Sequence, residues 1–199
     1  VKKKNYSLKG RLLKSREGCF CFLDHIKNTK QKIDKIKKNK ALIKNSKFIY
    51  FTKKIDEIFK NRRNKILLNY KKKFLSKKFK LSNLIVSPSD FGYNNILLNS
   101  NKLVFLDFEY SGYDDLAKLV GDFIVQPNHQ MTGKRELEFI EKVKQARITK
   151  STGWSKRLKD MKELLIIKWT LIIAGTTKDN MVDKNRLENA IAYYASTQG

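Results

Sequence analysis

Between Leu81 and Leu106 the spacing of apolar side chains changes, and this limits the possible folds more than any other feature of the chain. Upstream, from Asp24 to about Phe79, apolar residues recur at helical intervals: Ile33 and Ile36, then Ile55, Ile58 and Phe59, then Ile66, Leu67, Tyr70 and Phe74. That pattern predicts two or three amphipathic helices. Leu84-Ile-Val86, Ile96-Leu-Leu98 and Leu103-Val-Phe-Leu106 are instead short apolar runs, separated by Ser87-Pro-Ser-Asp-Phe-Gly92 and Asn99-Ser-Asn101. Runs of this length between turn-forming residues read as strands, with Asn99–Asn101 turning a hairpin. Beyond Gly112, Asp114–Ile124 reads as a helix with acids in its first turn, stopped by Pro127, and 135–148, about 155–174 and about 184–196 read as further helices. The expected class is α+β, mainly helical, with a short β-hairpin carrying a polar loop.

Charge divides the chain in two without dividing it into domains. The formal net charge is +25, yet residues 1–80 hold 28 basic and 5 acidic side chains whereas residues 81–199 hold 16 and 14. We expect one domain overall, with 1–80 a basic helical segment leading into a lobe formed by 81–199. Lysine far outnumbers arginine in the basic segment and falls on all sides of its helices. A polyanion-binding face favours arginine forks and interleaved aromatic rings, so a solvated surface is the preferred reading and nucleic acid the disfavoured one. The longest apolar stretch, Leu164–Gly175, is interrupted by Lys168 and falls short of the roughly 20 residues that span a bilayer. No membrane span is expected, and Lys168 should snorkel to the surface. The amino end lacks the apolar stretch of a secretory signal and the chain has two cysteines, which point to a reduced, cytoplasmic protein. Cys19, Cys21 and His25 make no structural zinc site, which needs four ligands. Trp154 and Trp169 read as core or groove-lining residues and His129 as a surface histidine.

Chemistry gathers around the polar loop. Asp90 and Asn95 lie in it five positions apart, and Asp107 directly follows the strand Leu103–Leu106. An aspartate in such a loop can orient the proton of an attacking hydroxyl, while an asparagine and a second aspartate supply the hard oxygen donors that suit Mg2+. Turn-rich loops also favour Asp and Asn for local hydrogen bonding, so it is the ordered set, rather than any member, that signals phosphoryl transfer.

The stretch Ser87-Pro-Ser-Asp-Phe-Gly-Tyr-Asn-Asn-Ile-Leu97, followed by Val104-Phe-Leu-Asp-Phe-Glu-Tyr-Ser-Gly112 and Asp114-Asp-Leu-Ala-Lys118, resembles the aminoglycoside phosphotransferase and choline kinase family over about residues 81–126. That resemblance implies the carboxy-terminal lobe of a protein-kinase-like fold, with ATP and Mg2+ as cofactors and a hydroxyl of a small molecule as acceptor. It implies Asp90 as catalytic base, Asn95 and Asp107 as metal and nucleotide-phosphate ligands, and Ser89, Glu109 and Asp115 as supporting residues, Asp115 as a brace. The run Asp107-Phe-Glu-Tyr110 is similar to the choline kinase side of the family. Two departures stand out. Pro88 occupies the place of the usual histidine, and residues 1–80 show neither a Gly-rich hairpin nor a strand-borne lysine, so the nucleotide lobe is largely missing. Together with Val1 in place of Met, this leads us to expect a truncated kinase, with a non-catalytic remnant as the alternative. The oligomeric state is not legible.

Overall fold

The computed structural model describes residues 14–40, 42–128, 131–151, 153–175 and 184–198. Helices α1 (Phe22–Lys37), α2 (Ser46–Asn69) and the short α3 (Lys72–Ser76) come first. Strands β1 (Ile85–Ser87), β2 (Ile96–Asn99), β3 (Lys102–Phe105) and β4 (Gly112–Asp114) follow, then helices α4 (Leu116–Ile124), α5 (Gly133–Gln145), α6 (Trp154–Gly175) and α7 (Lys184–Ser196). His129 lies outside the described residues.

Local chemistry sets the helix starts. Asp24 in the first turn of α1 accepts the amide N–H groups of Phe20 (2.8 Å) and Cys21 (3.2 Å), and the Asn45 side chain accepts that of Phe48 (3.1 Å) at the head of α2. Packing then centres on α6. Leu158, Met161, Leu164, Leu165, Ile167 and Leu171 are all buried, and α1, α2, α4 and α7 pack around this helix. A helix apolar on most sides belongs in an interior. Gly121 lets α4 approach closely, since a Cβ there would lie 2.3 Å from Leu165 Cδ1. Core residues from α1 and α2 join those of α4 and α6, so the basic segment and the lobe share one interior. Trp154 is buried in it and Trp169 packs partly buried against it.

Several local expectations are corrected. Strand β1 pairs antiparallel with β4, Ile85 opposite Asp114 and Ser87 opposite Gly112, while β2 pairs with β3 from Ile96–Phe105 to Asn99–Lys102. The hairpin expected at Asn99–Asn101 is present, with Ser100 and Asn101 both at positive φ. The polar loop, however, links two separate sheets instead of turning within one hairpin. Asp114 ends β4 and Asp115 caps α4, so the acids precede that helix rather than filling its first turn. Lys168 does not snorkel: it is buried against Asp122, because a carboxylate on the facing helix offers a nearer partner than water. No helix among the described residues is long and apolar enough to cross a membrane.

Candidate functional site

The polar loop leaves β1 at Ser87, whose fully buried hydroxyl accepts the Ser89 amide N–H (3.0 Å). Ser89 takes a left-handed conformation (φ 72°) and its own hydroxyl donates to the Arg16 carbonyl (3.1 Å). This turn presents Asp90 to solvent. The Asn95 side-chain Nδ2 then donates to the Asp90 carbonyl at 2.9 Å, closing the loop across five residues. Leu106 N–H donates to the Asn95 carbonyl at 2.8 Å, extending the β2–β3 pairing by one step and delivering exposed Asp107 (φ 58°) beside the loop. Asp90 and Asn95 are thus bonded directly, and Asp107 follows Leu106, the residue bonded to Asn95.

Close packing fixes the loop from behind. Gly92 is buried against Gln126, and a Cβ at position 92 would meet Gln126 Oε1 at 2.1 Å. Phe91 lies between the rings of Phe105 and Phe123, at 5.8 and 4.9 Å. On the other side Arg16 lies over the Tyr110 ring at 4.3 Å. The Glu109 carboxylate beside the Tyr110 hydroxyl raises that phenol above its ordinary value.

Asn95 spends its Nδ2 on the loop, which leaves Oδ1 as the acceptor end of the amide. Together with the exposed carboxylates of Asp90 and Asp107 this is an all-oxygen donor set, the chemistry that suits Mg2+. Among the described residues, no group of three or more His, Cys, Asp or Glu is placed to hold a metal ion. Any cation here would thus depend on the Asn95 amide oxygen in addition to carboxylates.

Beneath the loop sits a buried charged network. Asp114 accepts Ser15 Oγ (3.0 Å), Cys19 N–H (2.7 Å), Asp115 N–H (2.8 Å) and Lys118 Nζ (3.1 Å). Lys118 also lies 3.4 Å from Asp122, which accepts Trp169 Nε1 (3.1 Å) and pairs with Lys168. Asp115 receives Arg157 through Nε (2.9 Å) and Nη2 (2.6 Å), lies 3.3 Å from His25 Nε2, and caps α4 at Ala117 N–H (3.3 Å). Burial would lower the Lys118 pKa, but the charges of Asp114 and Asp122 overcome it and raise the value. Burial would raise Asp122, and Lys168 and Lys118 hold it below its usual range. For Asp115 burial is again outweighed, by Arg157 and His25, and the carboxyl is held at about 2.

That last value carries a pH prediction. The Asp115 carboxyl lies below its ordinary 3.8, so its contribution to stability is complete above about pH 4 and lost as the pH falls towards about 2. A shift of this size is worth about 2 to 3 kcal/mol. Urea unfolding between pH 2 and pH 4.5 should show the natural chain losing stability faster than Asp115→Asn, with the two converging at the acid end. Asp122 and Asp24 are also lowered, so some slope remains in the variant. Parallel slopes would remove Asp115 from this role.

The structure thus places Ser89, Asp90 and Asn95 in the loop, Asp107 and Glu109 on the exposed segment after β3, and Asp115 in the interior. The sequence reading missed Asp114, Lys118, His25 and Arg157. Asp114, Lys118 and Asp122 stand four residues apart and their pairing was readable from that spacing. His25 and Arg157 are 90 and 42 residues from Asp115, and no local signal marks them. A comparison with protein-family models finds no match, and neither does a comparison with curated proteins.

Proposed function

We propose that the chain is the acceptor-side lobe of an ATP- and Mg2+-dependent phosphotransferase, acting on a hydroxyl of a small molecule such as an amino sugar, an amino alcohol or an envelope sugar. The observation that carries this reading is the bond from Asn95 Nδ2 to the Asp90 carbonyl, continued by Leu106 N–H to the Asn95 carbonyl. It ties the loop that carries Asp90 and Asn95 to the segment that leads into Asp107. The resemblance of residues 81–126 to small-molecule kinases supports the same assignment.

In this reading Asp90 accepts a hydrogen bond from the acceptor hydroxyl and takes its proton as the oxygen attacks the terminal phosphorus of ATP, whose bond to the bridging oxygen breaks so that ADP leaves. Asn95 and Asp107 would hold the metal. Magnesium, when bound, supplies positive charge against the phosphate oxygens. Asp115, Arg157 and His25 hold α4 under the loop and so keep Asp90 oriented. Ser89 fixes the turn through Arg16. Residues 22–37 and 46–69 are helical, and in this reading a strand-borne phosphate clamp is not built from them. Leu97, Leu98, Leu103 and Val104 on the β2–β3 hairpin are exposed, and a nucleotide lobe or a purine ring would cover them.

Manganese in place of magnesium tests the metal site directly. Titrated into isotopically labelled protein, it should broaden the amide signals of Asn95, Leu106 and Asp107 before all others. Asp107→Ala should weaken that binding by at least about tenfold. Broadening that ignores these positions would defeat the assignment.

A further inference from the structure

Apart from the loop, α2 and α7 leave between them a groove of about 1040 Å3. Phe51, Ile55 and Leu187 are buried in its floor, and Ile58, Ile191 and Tyr194 extend the apolar lining. The α2 residues that line it, from Lys47 through Phe51, Lys54 and Ile55 to Ile58, follow one helical face and give a trough about 16 Å long. Its polar groups are unevenly placed. Lys44 and Lys47 stand at the amino-terminal end of α2, where the helix adds partial positive charge, and Lys54 lies over the Tyr50 ring at 5.5 Å on one lip. Tyr194 lines the groove from α7. Among the described residues Glu188 is the one acid in the lining, against Lys44, Lys47 and Lys54.

Three lysines against one acid, beside an apolar trough, complement a molecule with one anionic head and one hydrocarbon tail. We infer that the α2–α7 groove binds a single-chain anionic amphiphile of the fatty-acid class. Its head lies against Lys44 and Lys47, and its tail lies along Phe51, Ile55, Leu187 and Tyr194. This site is independent of the phosphotransfer reading, and none of the loop residues lines it.

The test is displacement of the fluorescent fatty acid cis-parinarate by dodecanoate, kept below its micellar concentration, with dodecanol as the uncharged analogue. Saturable displacement at a single site is expected. Ala195→Trp, which fills the groove from an exposed position on α7, should abolish it, and Ile191→Glu on the lip should do the same if the tryptophan disturbs the helix. Lys44→Glu combined with Lys47→Glu should weaken dodecanoate by about tenfold or more while dodecanol is retained. Circular dichroism melting establishes that each variant is folded. Absence of saturable binding, or binding indifferent to both groove variants, overturns the inference. So does equal loss of dodecanoate and dodecanol in the lysine variant, since the head would then lie elsewhere. Binding of an acidic amphipathic peptide at this groove in place of dodecanoate would assign it to a protein partner and overturn the lipid reading.

Discussion

Asp90→Ala is expected to lower transfer of the terminal phosphate of ATP to a hydroxyl acceptor by about 10²- to 10⁴-fold, the usual contribution of a positioned general base. The fold should not notice. The hydrogen bonds that build the loop use the Asp90 backbone, its N–H donating to the Pro88 carbonyl at 3.0 Å and its carbonyl accepting Asn95 Nδ2 at 2.9 Å, and both survive removal of the carboxylate. Its side chain is exposed, so no packing is lost. Loss of turnover with an unchanged melting curve therefore separates chemistry from architecture. The measurement is radiolabelled phosphate transfer by the natural protein across amino sugars, amino alcohols and envelope sugars. Undiminished transfer by the variant would take the base assignment away from Asp90.

Asn95→Ala should behave differently, because it removes the bond that closes the loop as well as an oxygen donor. Its loss of function would come with a local change in the amide spectrum around Asp90. Comparing the two variants distinguishes a group that reacts from one that positions.

The second large effect concerns stability. Asp122→Ala strands Lys168, which is 5% exposed inside the helical core and has Asp122 as its ion-pair partner. Lys118 keeps Asp114, at 3.1 Å, but the Lys168 ammonium is left with only the Trp169 ring, 5.6 Å away, and the Glu17 carboxylate as weaker compensation for its burial. Breaking one side of a buried pair costs about 3 to 5 kcal/mol, which in a domain of this size lowers the thermal midpoint by roughly 10 °C. Replacing both partners with apolar residues of similar volume, Asp122→Leu with Lys168→Met, should recover most of the loss, since well-packed side chains also remove the desolvation term. Trp169 is only partly buried and can turn its N–H to water. A loss below about 1 kcal/mol in Asp122→Ala would mean that water reaches Lys168, and the network would not be the anchor of α4 and α6.

Lys168 also shows where a linear reading fails. An isolated lysine in an apolar stretch has two physical solutions, reaching out to solvent or meeting an acid on a facing element. Which one applies depends on a residue 46 positions away. The strands repeat the lesson. Leu84-Ile-Val86 was legible as a short strand, which the structure places at Ile85–Ser87, but its partner, Gly112–Asp114, is too short and too polar to announce itself and is chosen by the course of the chain between them. Asp90, Asn95 and Asp107 were legible because their spacing, the turn residues and the flanking apolar runs are all local.

Helical periodicity, the hairpin at Asn99–Asn101 and the ordered oxygen-bearing residues of the loop were thus written in the sequence alone, because each rests on interactions between residues a few positions apart. The pairing of β1 with β4, the burial of Lys168 against Asp122, the Arg157 and His25 contacts of Asp115 and the groove between α2 and α7 were decided only by the tertiary structure. Those features depend on which helix faces meet once α6 is enclosed, and a buried charge must find its partner among whatever groups that packing brings within a few ångströms.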